Sequence, residues 1–301
     1  MEQTSLQGLT RAMPYLPSQI SGAIGRLSTE EQGRIQEIRL RVGRPAGLCN
    51  RGREQSFPQG GQLIQPQLAA CMKTVCEESL HSYAKELAQG YVTIAGGNRV
   101  GFCGTAVVQN GRVETVRYVS SMNFRIAGQH PGCGENLCGK LYGAGLQSVL
   151  LIGAPASGKT TMLRDICRCL GRRYRVCIVD ERGELAAVSH GVPQNAVGEQ
   201  TDVLDGYPKA AGMQIALRVL APELLVCDEI GDEADTEALL QSMHAGVFLL
   251  ASAHAGSIAE ARERPQIRRL LEHGAFDTVV QLGTGERLGQ VLGITRVRGH
   301  A

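Results

Sequence analysis

The stretch Leu150-Leu-Ile-Gly-Ala-Pro-Ala-Ser-Gly-Lys-Thr-Thr161 decides the fold of this chain. It matches the pattern G-x-x-x-x-G-K-[ST], in which backbone N–H groups of a loop surround phosphate oxygens. A short apolar run precedes the loop and an amphipathic segment follows it, which is the strand–loop–helix context that the pattern requires. The predicted phosphate-binding residues are Gly153, Ala154, Pro155, Ala156, Ser157, Gly158, Lys159, Thr160 and Thr161.

Two residues of this loop have predicted roles of their own. The Lys159 ammonium is expected to reach the β- and γ-phosphates of a nucleoside triphosphate, and the Thr160 hydroxyl is expected to ligate Mg²⁺. The helix that begins near Lys159 points its positive end at the phosphates. ATP and Mg²⁺ are therefore the expected ligands. The competing interpretation is a glycine turn with an incidental Lys-Thr pair.

A second acidic element follows another apolar strand, Leu224–Cys227. Acidic side chains are costly inside a sheet, so Asp228 and Glu229 are expected at its carboxyl edge, where ligands bind in parallel α/β folds. Asp228 is predicted to hold Mg²⁺, directly or through water. Glu229 is predicted to orient and deprotonate the attacking water. The alternative is a solvated strand end.

Two further predicted strands, 176–179 and 247–251, are followed by titratable side chains. Because the carboxyl ends of parallel strands share one edge, these side chains are expected to reach the same crevice. The open alternatives are surface acids that neighbour Arg182 and a structural histidine. The candidate residues are Asp180, Glu181, Glu184 and His254, of which Glu181 and His254 are predicted to be catalytic.

The length of 301 residues predicts two domains. Residues 1–145 have the pattern of a small α+β domain, with a strand at 35–42, a helical segment at 67–88 and strands at 91–94, 99–108 and 112–119. Asn110-Gly111 predicts a hairpin turn, and a glycine-rich stretch ends the domain. Residues 146–301 alternate buried strands with helices at 160–170, 212–220, 233–245 and 258–271. The predicted fold class is α/β, with a C-terminal RecA-like P-loop NTPase domain whose parallel sheet is flanked by helices.

The amino-acid composition and the net charge argue against several classes of function. Hydrophobic residues make up 43% and charged residues 20%, which is ordinary for a soluble globular protein. The net charge of +2 gives no argument for nucleic acid or acidic lipid as a partner. The ten cysteines form no C-x-x-C pair and are expected to be reduced and structural. Residues 1–17 lack the pattern of a signal peptide. The sequence contains no run of about 18 apolar residues, so we expect no direct membrane insertion.

The order of these elements resembles the type II and type IV secretion ATPases. In that family an "Asp box", matched here by Asp180-Glu-Arg-Gly-Glu184, and a "His box", matched around His254, accompany the phosphate loop. A resemblance to the stage III sporulation protein AA family covers nearly the whole chain. Its motifs are matched by 37–45, 89–104, 123–127, 178–184 and 226–231.

The second resemblance implies a mother-cell ATPase of the channel apparatus that joins mother cell and forespore in endospore formers. It implies a homo-hexameric ring on the cytoplasmic side of a membrane complex, docked to the membrane-anchored stage III sporulation protein AB. The loop residues Ala154–Ser157 depart from the pattern expected for the sporulation family but keep its essential positions. The plain Asp228-Glu229 pair is more regular than in typical secretion ATPases, which favours hydrolysis.

Ring ATPases use an arginine from a neighbouring subunit to stabilise the transferring phosphoryl group. Arg99, Arg125 and Arg218 are the candidates here, and each has the alternative of an ordinary surface or ion-pair arginine. The predicted function is a ring ATPase that energises assembly of, or transport through, the sporulation channel.

Two other functions compete with this prediction. A RecA-like nucleic-acid motor needs a basic groove or stacking aromatics, whereas aromatics are 4% of the chain and tryptophan is absent. A nucleotide-gated scaffold without significant turnover is disfavoured by the intact Lys159, Asp228 and Glu229.

Overall fold

The computed structural model of the chain describes residues 2–50, 52–77, 79, 83–109, 111–128 and 130–297. The chain divides into two units. The first comprises Met1–Gln129 together with the short segment Ser189–Gln194, and the second comprises His130–Val188 and Asn195–Ala301.

The N-terminal unit is an antiparallel six-stranded sheet with helices packed on it, in the strand order β3-β2-β1-β6-β5-β4. Its helices are α1 (Glu2–Ala12), α2 (Ser18–Ile24), α3 (Thr29–Gly33), α4 (Gln65–Val75) and α5 (Ala84–Gln89). Its strands are β1 (Glu37–Arg41), β2 (Pro45–Asn50), β3 (Arg53–Gln62), β4 (Tyr91–Ile94), β5 (Asn98–Gln109) and β6 (Arg112–Arg125). Short 3₁₀ turns lie at Met13–Tyr15 and Ala95–Gly97.

Alternation along β1 follows the sequence pattern. Ile38 and Leu40 are fully buried while the alternate residues Glu37, Arg39 and Arg41 are half-buried, as a period of two requires for a strand with one face on the core. The helical pattern at 67–88 corresponds to the separate helices α4 and α5. The β5–β6 pair forms the predicted hairpin, with Gln109 opposite Arg112. Asn110 of the predicted turn lies outside the described residues.

The C-terminal unit is built on a seven-stranded sheet in the order β11-β8-β12-β13-β7-β14-β15. All neighbouring strands are parallel except the antiparallel pair β14–β15. Its strands are β7 (Val149–Gly153), β8 (Val176–Asp180), β11 (Thr201–Asp205), β12 (Leu224–Cys227), β13 (Phe248–His254), β14 (Thr278–Leu282) and β15 (Val291–Arg296). A separate two-stranded ribbon consists of β9 (Val188–Ser189) and β10 (Val192–Pro193), and its residues from Ser189 onward lie in the short segment of the first unit. Its helices are α6 (Glu135–Tyr142), α7 (Lys159–Leu170), α8 (Lys209–Ile215), α9 (Glu233–His244), α10 (Ile258–Glu263) and α11 (Pro265–Glu272), with a π-helical turn at Ala216–Leu220 and a 3₁₀ turn at Gly285–Arg287.

Helices cover both faces of this sheet, which explains its continuous apolar strands. On β7, Leu150 and Ile152 pack with one core cluster, while Val149 and Leu151 pack with the other. The first cluster includes buried residues of α8, α9 and α11, and the second includes buried residues of α6 and α7. The predicted parallel sheet flanked by helices is confirmed.

Some elements differ from the sequence pattern. The strands β11, β14 and β15 were not predicted. Strands β11 and β15 lie at the edges of the sheet, where their side chains are half-exposed or exposed, so they lack the continuous apolar run of a buried strand. The single helix predicted at 258–271 is two helices, because Arg264 adopts an extended conformation before Pro265, as residues before proline tend to do.

The division between units falls earlier than the boundary predicted after residue 145. Helix α6 lies within the glycine-rich stretch, and its residues Leu137, Leu141 and Tyr142 are buried in the core beside α7. Residues 130–145 therefore belong to the C-terminal unit. The glycine-rich stretch was predicted to end the N-terminal domain, but an apolar helical face within it supplies part of the C-terminal core.

The ten cysteines are all free thiols. Cys177 on β8 and Cys227 on β12 are buried, and burial raises the pKa of each thiol to about 12. The described residues contain no group of three or more His, Cys, Asp or Glu placed to hold a metal ion. Among the same residues, every helix is too short or too polar to cross a membrane.

Candidate active site

The loop between β7 and α7 has a backbone that requires glycine at two positions. A Cβ atom on Gly153 would lie 2.3 Å from Ser157 Oγ. Gly158 has a φ of 88°, in the left-handed region that favours glycine. The two glycines therefore let the chain turn sharply from the buried strand into the helix that begins at Lys159.

Lys159 lies inside this loop, with only 6% of its surface exposed. Its Nζ donates to the carbonyl oxygens of Gly153 at 2.9 Å and Ala154 at 3.0 Å. Burial holds the pKa of the ammonium below its usual range, and the nearby carboxylates of Asp228 and Glu229 only partly oppose that shift. The ammonium is thus held at the start of α7, where the positive end of the helix also favours an anion.

Two hydroxyl side chains contact the carboxylate of Asp228. The Thr160 hydroxyl donates to Asp228 Oδ2 at 2.5 Å, and the Ser252 hydroxyl donates to Asp228 Oδ1. Hydroxyl and carboxylate oxygens are the hard ligands that Mg²⁺ prefers, and Mg²⁺ sites of NTPases combine one or two such groups with phosphate and water. The donor set at Thr160 and Asp228 therefore fits Mg²⁺.

Glu229 has an unusual backbone conformation, with a φ of 51°. Such a conformation costs a non-glycine residue free energy and persists only where neighbouring contacts hold it. Here the Glu229 N–H donates to Ser252 Oγ at 3.0 Å, and the Glu229 carbonyl accepts from Lys209 Nζ at 2.6 Å. These two contacts fix the direction in which the Glu229 side chain leaves the sheet edge.

The carboxylate of Glu229 is bound on both oxygens. Its Oε1 lies 3.2 Å from His254 Nε2, and its Oε2 accepts from Arg182 Nη1 at 2.8 Å. The other ring nitrogen of His254, Nδ1, lies 3.0 Å from Lys159 Nζ. Because an ammonium can only donate, we assign Nδ1 as the acceptor of the bond from Lys159, so Nε2 is the ring nitrogen that faces the Glu229 carboxylate. Lys159, His254, Glu229 and Arg182 thus form a continuous chain of contacts.

Asp180 has a structural position. Its carboxylate is buried and accepts the backbone N–H groups of Glu184, Leu185 and Ala186. Burial raises its pKa, and the three N–H bonds oppose that shift. From the other side, Arg164 of α7 donates to the carbonyls of Glu184 and Leu185. Asp180 therefore shapes the loop after β8, and its two oxygens are directed to that loop.

Glu181 lies in a different environment beside Lys209. The Lys209 ammonium is 3.6 Å from Glu181 Oε2 and 3.1 Å from Asp235 Oδ2, and 11% of the Lys209 side chain is exposed. Since the same ammonium also binds the carbonyl of Glu229, Glu181 is connected to the Asp228-Glu229 segment through this lysine.

The three arginines singled out from the sequence make other contacts. Arg99 and Arg125 are opposite each other on β5 and β6 of the N-terminal unit. The Arg99 guanidinium lies 5.0 Å from the ring centroid of Tyr91, and Arg125 Nε lies 4.0 Å from a carboxylate oxygen of Glu37. Arg218, in the π-helical turn, donates to Gln214 at 3.5 Å. Action of any of them on a neighbouring subunit stays a prediction.

Sequence reasoning missed several residues that surround the site. Ser252 could have been identified from the sequence, because it precedes His254 by two positions and so lies on the same face of the strand. The sequence pattern does not indicate Lys209 or Arg164, because each lies on a helix far along the chain from the residues that it contacts. Arg182 was considered only as a neighbour of surface acids. The missed residues are Arg164, Arg182, Lys209 and Ser252.

Comparison with known proteins identifies the family. The family model for "Sporulation stage III, protein AA" matches residues 16–301. The chain belongs to the stage III sporulation protein AA family. The chain is 38% identical over 282 residues to stage III sporulation protein AA of Bacillus subtilis (strain 168), covering 92% of this chain and 91% of that protein. The resemblance inferred from the motifs is confirmed.

Solved structures show the same fold at low sequence identity. The Legionella pneumophila ATPase DotB matches with a TM-score of 0.58 and 17% identity, over 88% of this chain and 76% of that one. The pilus retraction motor PilT with bound ADP also matches with a TM-score of 0.58, at 15% identity over 82% of this chain and 74% of that one. This member of the sporulation family therefore has the RecA-like P-loop NTPase fold of secretion ATPases.

Proposed function

We propose that this chain hydrolyses ATP with Mg²⁺ at the carboxyl edge of the seven-stranded sheet. The observation that carries the proposal is the chain of contacts from Lys159 through His254 to Glu229, beside the bond from Thr160 to Asp228. These residues come from the loop after β7 and from the ends of β12 and β13. They combine a phosphate-binding cation, two Mg²⁺ ligands and a carboxylate base in the arrangement that phosphoryl transfer to water requires.

In the proposed reaction a water oxygen bonds to the γ-phosphorus of ATP while the bond from that phosphorus to the β–γ bridging oxygen breaks. Glu229 takes a proton from the water, and ADP and inorganic phosphate are the products. Lys159 binds the phosphate oxygens. His254, whose Nε2 faces Glu229 Oε1, would position the carboxylate of Glu229. Mg²⁺, held by Thr160 and Asp228, would neutralise charge on the phosphates.

Three further residues remain proposed contributors. Glu181 would act through Lys209, whose ammonium it shares with the carbonyl of Glu229. Arg99 and Arg125 would act on the site of a neighbouring subunit, as arginines do in ring ATPases.

The biological role that we propose is that of a homo-hexameric ring ATPase on the mother-cell, cytoplasmic side of the sporulation channel. It would be peripherally attached through stage III sporulation protein AB and would energise assembly of, or transport through, the channel. Membership of the sporulation family supports the setting. The fold shared with DotB, described as an ATPase, and with PilT, described as a retraction motor, supports mechanical work by analogy.

The test of hydrolysis uses the purified chain and two variants. We expect Lys159→Ala to abolish binding of ATP in calorimetry. We expect Glu229→Gln to bind ATP as the unaltered chain does and to release phosphate about 10²- to 10⁴-fold more slowly, the range for loss of a general base. Lys140→Ala is the control, since this exposed lysine of α6 lies outside the site.

Each result has a defined meaning. Full phosphate release by Glu229→Gln would remove Glu229 as the base. ATP binding by the unaltered chain without phosphate release would favour the nucleotide-gated scaffold. For the ring, light scattering with ATP and the soluble part of the partner should give a hexamer, and a monomer under those conditions would contradict it.

A further inference from the structure

Arg182 is the residue of the site whose role the proposed reaction leaves open. It follows β8 directly after Asp180 and Glu181, and 63% of its side chain is exposed. Its Nη1 donates to Glu229 Oε2 at 2.8 Å. We propose that Arg182 supplies, within its own subunit, the guanidinium that contacts the γ-phosphate of bound ATP. This inference rests on the proposed function and deepens it.

The first argument is reach. A base must lie within about 3 Å of the water it deprotonates, and that water must lie within about 3–3.5 Å of the phosphorus. A guanidinium that already touches the Glu229 carboxylate is therefore separated from the γ-phosphate only by that carboxylate and one water molecule. Because the Arg182 side chain is long and largely exposed, it can turn from the carboxylate to the phosphate without a change of backbone.

The second argument is the rigid support of the loop that carries Arg182. The carboxylate of Asp180 binds the N–H groups of residues 184–186, and the Gly183 N–H donates to the Asp180 carbonyl at 3.4 Å. Arg164 holds the same loop from α7, the helix that follows the phosphate loop. Residues fixed in this way present a side chain in a defined position, as a pre-organised site requires.

The third argument is charge. The positive charges of Lys159 and Arg182 lie beside the negative charges of Asp228 and Glu229. A γ-phosphate brings more negative charge than a carboxylate and offers several oxygens to a planar guanidinium, for which arginine is well suited. Transfer of Arg182 to the phosphate would also release Glu229 Oε2 for the water. The same guanidinium would then stabilise charge on the transferring phosphoryl group.

The contacts of the other candidates contrast with this arrangement. Arg99 stacks on Tyr91, and Arg218 binds Gln214. Arg182 contacts the proposed base itself, and no neighbouring subunit is needed to bring it there.

The first experiment measures binding, so that it does not depend on turnover. Affinities for ADP and for a non-hydrolysable ATP analogue are measured with Mg²⁺ for the unaltered chain, Arg182→Ala and Arg182→Lys. We expect Arg182→Ala to weaken the triphosphate analogue by about tenfold or more, the effect of one charge-assisted hydrogen bond, and to leave ADP unchanged. Arg172→Ala is the matched control, since Arg172 is an exposed arginine beyond the end of α7. An unchanged ratio of the two affinities in Arg182→Ala would overturn the proposal.

The second experiment separates action within a subunit from action between subunits. We expect Arg182→Ala to lose about 10³-fold or more in the rate constant for turnover, with partial rescue by added guanidinium ion. Arg182→Ala protein is then mixed with Glu229→Gln protein. If Arg182 acts within its own subunit, the mixture stays inactive. Recovery of activity in mixed assemblies would show that Arg182 serves a neighbour and would overturn the inference.

The two proposals can fail separately. An unaltered chain that binds ATP without hydrolysing it would contradict the proposed reaction, while the comparison of ADP with the triphosphate analogue would still decide the contact of Arg182. Normal hydrolysis in Arg182→Ala would contradict the role of Arg182 and leave the proposed reaction standing.

Discussion

Replacement of Ser252 by alanine tests the organisation of the acidic strand end. The Ser252 hydroxyl is fully buried, donates to Asp228 Oδ1 and accepts the N–H of Glu229 at 3.0 Å. Alanine keeps the backbone of β13 and removes only this oxygen. The substitution therefore leaves a backbone N–H without its acceptor and a carboxylate oxygen without one of its donors.

The expected loss of stability follows from these two bonds. A hydrogen bond to a charged group contributes about 1.5–3 kcal/mol and an ordinary one about 1 kcal/mol, so Ser252→Ala should cost roughly 2–4 kcal/mol. In a domain of this size each kcal/mol lowers the melting temperature by about 2–4 °C, which predicts a decrease of roughly 4–16 °C. Because Ser252 also orients a proposed Mg²⁺ ligand, the apparent Mg²⁺ affinity should fall by about 10- to 100-fold.

Ser242→Ala is the matched control. Ser242 is also a fully buried serine, but its hydroxyl donates only to the carbonyl of Ala238 in its own helix. Alanine is favoured in a helix, so we expect this variant to change stability by less than about 1 kcal/mol. Calorimetric melting and the Mg²⁺ dependence of nucleotide binding are measured for both variants. Equal melting temperatures of the two variants, with unchanged Mg²⁺ dependence, would refute the role assigned to Ser252.

Two further substitutions test the ion pair of Lys209 and the packing of helix α6. Lys209→Met should destabilise the chain by about 3 kcal/mol, because it leaves the buried Asp235 carboxylate without its cation; the exposed Lys140→Met should have no such effect in chemical denaturation. Burial lowers the pKa of Lys209, but the bond to Asp235 outweighs that effect and the pKa lies above 10.5. The ion pair therefore stabilises the fold fully below pH 10.5, and this stabilisation is lost as the pH rises through the raised pKa. The stability difference between the unaltered chain and Lys209→Met should therefore shrink in that alkaline range, and a difference that stayed constant would contradict the ion pair. Leu141→Ala should cost about 2–5 kcal/mol, since this side chain of α6 is buried in the C-terminal core; a melting temperature equal to that of Lys140→Ala would show instead that α6 is a dispensable linker.

The sequence predicted the C-terminal fold well because its signal is local. Continuous apolar strands such as β7 and β12 occur where both faces of a sheet are covered, and the glycines at 153 and 158 meet a backbone requirement that is visible in the motif. The edge strand β11 lacked that signal because one side of an edge strand faces solvent. Helix α6 was overlooked because its apolar face lies between glycines.

The residues of the site could be proposed from the sequence, whereas the contacts between their side chains could not. Lys159, Thr160, Asp228, Glu229 and His254 could be proposed from their positions at strand ends, because parallel strands bring their carboxyl ends to one edge. The exact partner of each side chain was not accessible by this reasoning. Asp180 illustrates the difference, since its position suggested the phosphate crevice but its carboxylate binds the backbone of residues 184–186.

The sequence by itself determined the phosphate loop, the order of the strands that carry polar ends, and membership of the sporulation family. These properties depend on residue type and on short spacings along the chain. Only the tertiary structure decided that Ser252 joins Asp228 to Glu229, that Lys209 holds the Glu229 carbonyl and that Arg182 binds its carboxylate. Those contacts join residues more than 15 positions apart in the sequence. Such hydrogen bonds form only where the register of the strands and the directions of the side chains are set, and the packing of the sheet sets both.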